Sequence, residues 1–226
     1  IKAMQNSNLK WIYLVVLAII WGSSFILIKK GLVALTPLQL GALRILFSAI
    51  VLAIAGWKSL VTIKKQEWKW ILISGLLGTG IPVFLFAYAE TEIDSAIAAI
   101  LNSSVPLLAF VFGILMFGTQ FVKQQFAGVV LGLLGAIALI LIGAQVNPDQ
   151  NHYYALLIIL ASCLYALNVN IIKRYLQDVS AMAIALGNFL FLIIPAIIIL
   201  FTSDFFSLPV TTVVELQKAI GYIVVL

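Results

Sequence analysis

An all-α helical bundle embedded in a membrane is the fold class this sequence predicts, and three observations carry the prediction. Of 226 residues, 64% are hydrophobic and 9% are charged, with a mean hydropathy of +1.19. A soluble domain is nearer half apolar and a quarter charged, so this chain has too little polar surface to coat a globule in water. The apolar residues also fall into runs of the length that crosses a bilayer, about 20 helical residues each. The runs are continuous and do not alternate, which argues against barrel strands.

Seven segments meet the length test, at residues 11–28, 38–57, 70–89, 95–117, 124–143, 153–172 and 181–201, and an eighth starts near Ala219. The first is not read as a cleaved signal peptide: it is too long, lacks an A-x-A site and is followed by further spans. Short charged spacers separate the segments, so no soluble insertion is expected. With the N-terminus inside the cell, the inner side carries Lys2, Lys10, Lys58, Lys64, Lys65, Lys69, Lys123, Lys173 and Arg174. The outer side then carries Lys29, Lys30 and Lys218, together with an acidic group, Glu90, Glu92 and Asp94. Excess basic charge on one side orients membrane helices, so the N-terminus is expected in the cytoplasm of a multi-pass plasma (inner) membrane protein.

The net charge of +5 and pI near 9.4 are absorbed by this loop pattern. No single face gathers the charge, so nucleic acid is not an expected partner. Cys163 is the one cysteine and His152 the one histidine, leaving neither a disulfide framework nor a metal cluster. The metal and nucleotide motifs HExxH, Walker A and GxGxxG do not occur. No cofactor, metal or catalytic residue is expected.

An internal repeat organises the chain. A shift of 144 residues sets Trp21 on Tyr165, Lys29 on Lys173, Lys30 on Arg174, Thr36 on Ser180, Arg44 on Asn188 and Phe47 on Phe191, without a gap. Five predicted spans separate the copies, and an odd number reverses direction in the membrane, so the second copy is expected upside down. That arrangement alternates access to a midplane site when one half rocks against the other. Residues 1–147 read as the first five-helix repeat and 148–226 as the second, truncated in its third helix, giving about ten spans in the whole protein.

The residues at these positions resemble a known family. Trp21-Gly22-Ser23-Ser24-Phe25 followed by Lys29 is similar to the first-helix pattern of EamA-type transporters in the drug/metabolite transporter superfamily, and Leu43-Arg44-Ile45-Leu46-Phe47-Ser48-Ala49 resembles their second-helix motif. Ala96 to Pro106 looks like the fourth helix and Gly128 to Gly135 like the glycine-rich fifth. The ordered set covers essentially the whole chain. One departure stands out: the family commonly has Gly-Glu after the fourth helix, where Gly118 is followed here by Thr119. The resemblance implies a secondary carrier of amino acids, metabolites or toxic small molecules, usually outward. A lipid or lipid-carrier flippase on the same fold is the alternative. A membrane enzyme would need a His, Ser-Lys or paired-acid group at one membrane depth.

Nine residues are candidates for the substrate site. Arg44 lies inside the second span with no acid in helical reach, where a charge costs several kcal/mol unless paired or wetted. Lys29 matches the family motif and could line an outer vestibule, while Lys30 reads as an interface anchor. Were Lys29 and Arg44 both to face the cavity, carboxylate- or phosphate-bearing substrates would be favoured. Ser24, Asn168 and Asn188 are polar groups within spans, which also serve as interhelical glue or bond their own backbone. Asn102 lies one turn before Pro106, whose missing N–H frees the Asn102 carbonyl and opens the helix locally. Trp21, Tyr88 and Tyr165 are placed on the cavity wall. Trp57, Trp68 and Trp70 read as interfacial anchors, and Gly128-x-x-x-Gly132 with Gly135 as a close-packing face. No acid is read within a span, so a coupling carboxylate is not expected here. The partners foreseen are a small-molecule substrate and the bilayer, with a homodimer left open.

Overall fold

The computed structural model describes residues 7–120, 123–146, 151–207 and 213–226, and the regular structure among them is helical. In order these are α1 (Ser7–Gly31), α2 (Pro37–Gly56), α3 (Trp68–Gly75), α4 (Ile81–Glu92), α5 (Ser95–Asn102), α6 (Val105–Phe117), α7 (Lys123–Val146), α8 (Ala155–Tyr175), α9 (Ala181–Thr202) and α10 (Val213–Val225). A single π-helical turn, Leu76–Gly80, joins α3 to α4, and only Ser103 and Ser104 separate α5 from α6. Among the described residues, six stretches are long and apolar enough to cross a bilayer: Trp11–Gly31, Pro37–Thr62, Trp68–Glu92, Ser95–Phe117, Ala155–Tyr175 and Ala181–Ser207. Helix α7 covers the fifth predicted segment. The predicted eighth begins at Val213, ahead of Ala219, because Glu215 and Lys218 lower hydropathy without opposing a helix. The predicted boundary between residues 147 and 148 lies outside the described residues.

Helices in lipid satisfy their own backbone, so what remains to be fixed is where each begins and ends. At α2, the Thr36 hydroxyl accepts from the Gln39 N–H at 3.3 Å, and the Gln39 side chain accepts from the Thr36 N–H at 3.0 Å. This reciprocal box satisfies two amides that would otherwise lack partners, and Pro37 follows at the first helical position. The buried Gln39 amide also donates to the Ser203 carbonyl at 2.6 Å, tying the start of α2 to the end of α9. Ser180 caps α9 in the same way as Thr36, accepting from Ala183 N–H at 3.2 Å. Thr36 and Ser180 stand 144 residues apart, the spacing expected from the sequence for a repeat.

Helix α2 packs most extensively against α9, and α8 lies against both α4 and α6. Apolar side chains gain little by leaving lipid for one another, so close contact does the holding. Three tight approaches show it. A Cβ on Gly75 would stand 3.1 Å from the Cα of Asn188, one on Gly187 would meet the Ile71 side chain at 2.7 Å, and one on Gly41 would meet the Phe84 ring at 2.6 Å. The glycines of α7 behave otherwise: a Cβ on Gly128, Gly132 or Gly135 would meet nothing within 4 Å. Their expected close packing is therefore not made among the described residues, because Gly128 and Gly132 stand across an open space from Ser103, Ser104 and Pro106.

At the end where α3 begins, Trp70 stacks on Tyr175 with ring centroids 3.6 Å apart and 4° between planes, and Lys69 sits 5.1 Å over the Trp70 ring. Lys58 lies 5.7 Å over the 61% exposed Trp57. Aromatic rings flanked by lysines suit the headgroup layer.

Gly75→Val forces α3 away from the α9 backbone and is expected to cost about 1–3 kcal/mol. Gly128→Ala should leave stability unchanged or raise it slightly. Thermal unfolding of both variants in detergent, followed by fluorescence-detected size exclusion, checks the contrast.

Candidate functional site

Two buried polar groups interrupt the apolar bundle. The first centres on Glu90, in the last turn of α4, which is fully buried. Phe86, Glu90, Ile93 and Ile97 follow one another at helical spacing, so the carboxylate rides on a stripe that faces the core. Around it pack Phe25, Phe86, Ala89, Ile93, Ile97, Ala98 and Leu101, with Ile158 and Ala161 from α8. The Phe25 and Phe86 rings are 5.7 Å apart, and Phe86 stacks on Tyr165 at 5.9 Å.

Glu90 Oε2 accepts from the Ser95 hydroxyl at 2.8 Å, and that hydroxyl also lies 3.0 Å from the Phe25 carbonyl. Glu90 Oε1 has no hydrogen-bond partner. The charges of Lys29 and Arg44 act on the carboxylate, yet neither stands within ion-pair distance of it. Lys29 Nζ instead donates to the Ile93 carbonyl at 2.7 Å, closing the end of α4. Arg44 is half-buried, and the Tyr165 phenol is the other titratable group near it. Arg44, which has no acid within reach on its own helix, thus comes within electrostatic range of one across the bundle, beyond ion-pair distance.

The second group lies where α3, the π turn, α8 and α9 meet. A Cβ on Gly78, within the π turn, would collide with the Asn168 side-chain amide, so the absence of a side chain there is what admits Asn168. Such turns leave the regular ladder and recur at functional sites. Asn188 Nδ2 donates to the buried Ser74 hydroxyl at 3.3 Å. Asn168 Oδ1 and Asn188 Oδ1 are both buried without a partner, as is Asn102 Oδ1 at the break between α5 and α6. Asn170, by contrast, is spent on structure: its amide donates to the Ala109 carbonyl at 2.8 Å and the Ala166 carbonyl at 3.0 Å.

The other candidates are spread more widely. Ser24 bonds its own helix, at 2.8 Å from the Ile20 carbonyl. Trp21 is 62% and Tyr88 39% exposed, outside both buried groups. Lys30 lies 5.5 Å over the Tyr222 ring of α10. Sequence reasoning missed Glu90, which it read as an outer-loop acid, along with Ser95, Ser74 and Gly78. The signal that finds Glu90 is the stripe of Phe86, Ile93 and Ile97 around it. Helix α4 runs through Glu92, so the acid belongs to the span.

Two cavities lie apart from these groups, and neither is lined by Glu90, Asn102, Asn168 or Asn188. One of about 370 Å³ is lined by Phe117, Thr119, Asn170, Lys173, Arg174 and Gln177. Thr119, where the family pattern has a carboxylate, therefore faces a cationic opening. It follows Gly118, whose φ of 66° ends α6 in the left-handed region that glycine favours. The other, of about 460 Å³, lies between the Ser103-Ser104 break and α7.

Comparison with known proteins gives a consistent answer. The chain is 29% identical over 154 residues to the "Uncharacterized inner membrane transporter YedA" of Escherichia coli K12, covering 66% of this chain and 48% of that protein. It is 25% identical over 138 residues to a "Probable amino-acid metabolite efflux pump" of Salmonella typhimurium, covering 58% and 42%. It is also 26% identical over 131 residues to "Protein PecM" of Dickeya dadantii, covering 57% and 42%. The chain thus spans about half the length of the curated relatives it matches. No solved structure matches. The model of the EamA-like transporter family matches residues 9–141, more than half of the chain, and with the membrane-spanning helices this makes the protein a multi-pass membrane protein that belongs to the EamA-like transporter family.

Proposed function

We propose that the protein is a secondary carrier that exports small polar, amino-acid-like metabolites across the inner membrane, by alternating access between two inverted repeats of five helices. The observation that carries this reading is the set of three buried, unpartnered amide oxygens, on Asn102, Asn168 and Asn188. A buried acceptor without a donor costs about 1–3 kcal/mol, and a polar solute offers the donors that would recover it. These oxygens sit beside a π turn and a helix break, where irregular backbone at membrane depth is tolerated only against protein or a water-lined cavity.

The repeat supports the mechanism. Helices α1 and α8 end at Gly31 and Tyr175, and α2 and α9 start at Pro37 and Ala181. Both pairs are related by the shift of 144 residues. Helix α2 of one repeat and α9 of the other are the most extensively packed pair, so the repeats meet at the surface along which rocking would occur. In this reading Arg44 and its counterpart Asn188 recognise substrate from opposite repeats, Asn102 and Asn168 bind it along the path, and Tyr165 forms part of the wall. The efflux named for the Salmonella relative favours outward transport of an amino-acid-like solute. Nine basic residues on the loops assigned inside, against three outside, favour a cytoplasmic N-terminus.

Overexpression of the full-length protein, with metabolites measured in the medium, identifies what leaves the cell. Arg44→Ala, Asn102→Ala and Asn168→Ala are expected to lower that release at least about tenfold, the loss of one or two good polar contacts. Ser24→Ala should leave it unchanged. Wild-type rates in all three variants would move the site elsewhere. In intact cells, a cysteine placed at exposed Val61 should resist a membrane-impermeant maleimide and one placed at exposed Val33 should react. The reverse pattern would invert the assigned orientation.

A further inference from the structure

Secondary carriers that move a solute uphill must run a second gradient down, and among the described residues one buried group is fitted to carry a coupled proton. We propose that Glu90 is the proton-carrying group of this carrier, loaded when the outer end opens and unloaded when the inner end does. The inference rests on the carrier reading given above and adds its driving ion.

Among the described residues, Glu90 is the one acidic side chain that is buried. A carboxylate kept only to brace helices would be expected to use both oxygens, since burial without partners costs more for a charge than for any neutral group. Glu90 uses one. Oε2 takes the Ser95 hydroxyl, and Oε1 is buried with no partner. The groups facing it from each neighbouring helix are Lys29 from α1, Arg44 from α2, Ser95 from α5 and, through Arg44, Tyr165 from α8. Tyr154 packs against the same cluster, and Asp94 sits at the α4–α5 junction. Lys29 and Arg44 stand beyond ion-pair distance of Glu90, so no ion pair locks the carboxyl group in its charged form.

The proton step is simple in its balance. The carboxylate takes one H⁺ at Oε1 and becomes a neutral carboxyl group, and the reverse step returns the H⁺ with no other bond changed. Protonation removes the only buried anion among the described residues that Lys29 and Arg44 face. Lys29 also holds the end of α4, and Ser95 joins Glu90 to the Phe25 carbonyl of α1. A change of charge at Glu90 therefore acts where α1, α4 and α5 are tied together, and loosening that tie opens the outer end.

The test needs no known substrate. In the full-length protein in liposomes, with Cys163→Ala, a cysteine is placed at the buried Ala98 beside Glu90 and a second reporter at the exposed Thr91. Labelling by a membrane-impermeant maleimide, taken as the ratio of the two rates, is followed from about pH 9.5 to about pH 5, the range that spans a buried carboxylate. The ratio is expected to rise several-fold at low pH with Glu90 present and to become pH-independent in Glu90→Gln. It should stay pH-dependent, with a moved midpoint, in Glu90→Asp. A pH response that persists in Glu90→Gln, or none with Glu90 present, overturns the proposal. Should Glu90→Gln fail to assemble, an unmoved midpoint in Glu90→Asp overturns it instead. Metabolite release separates the two readings. Release by Glu90→Gln at the wild-type rate against a gradient overturns the coupling role and leaves the carrier standing, whereas no release by the wild-type protein overturns both.

Discussion

Hydrocarbon offers no hydrogen bonds, so every polar group this chain carries into the membrane must find its partner inside the bundle or keep a use for being without one. The rest of the structure depends on that constraint. It makes the spans helical, places the charges at their ends, and turns the few polar side chains within spans inward. Gln39, Ser74, Ser162, Asn170, Asn188 and Glu90 are the polar or charged residues buried among those described, and each lies on a helix that contacts another. Where partners exist they join helices: Gln39 joins α2 to α9, Asn170 joins α8 to α6, and Ser95 joins α5 to α1.

The exceptions carry the functional interest. Glu90 Oε1, Ser162 Oγ and the amide oxygens of Asn102, Asn168 and Asn188 have no partner. All but Ser162, which lies within regular α8, stand near irregular backbone: the π turn at Gly78, the break at Ser103 and Ser104, and the end of α4. Regular helix would hide its own carbonyls and leave these side chains facing lipid or a packed wall. Breaking the helix at membrane depth costs hydrogen bonds, and glycine at 75, 78 and 80 lowers the steric barrier to doing so. A sequence that keeps both the broken backbone and the open oxygens keeps groups a solute or a proton can engage.

Close packing does the work that hydrophobic burial does in water. With lipid tails as apolar as leucine, α3 and α9 gain by approaching until Gly75 lies against the Asn188 backbone, and α2 and α9 gain by sharing a long face. This also explains why the glycines of α7 resisted reading. Gly128, Gly132 and Gly135 have the spacing of a packing face, yet spacing says only that a helix can approach another closely. Whether one does is decided by where α7 lies.

The sequence by itself determined membrane residence, the helical class and the positions of most spans. All of these follow from length and order along one chain: a run of apolar residues is its own evidence, and Thr36 and Ser180 announce helix starts by their local chemistry. It also singled out Arg44 and Asn102, because a charge in an apolar run and a proline one turn downstream are local facts. Only the tertiary structure decided what those residues meet. Glu90 looked like a loop acid because Glu92 and Asp94 follow it, and nothing along the chain brings it to Arg44, 46 positions away. Their mutual electrostatic influence depends on α2 and α4 packing side by side. Asn168 and Gly78 likewise come together only because α8 crosses the π turn. Local chemistry is written in neighbours along the chain, whereas a polar group's partner inside a membrane bundle is set by which helix faces which, and that is a property of the packed whole.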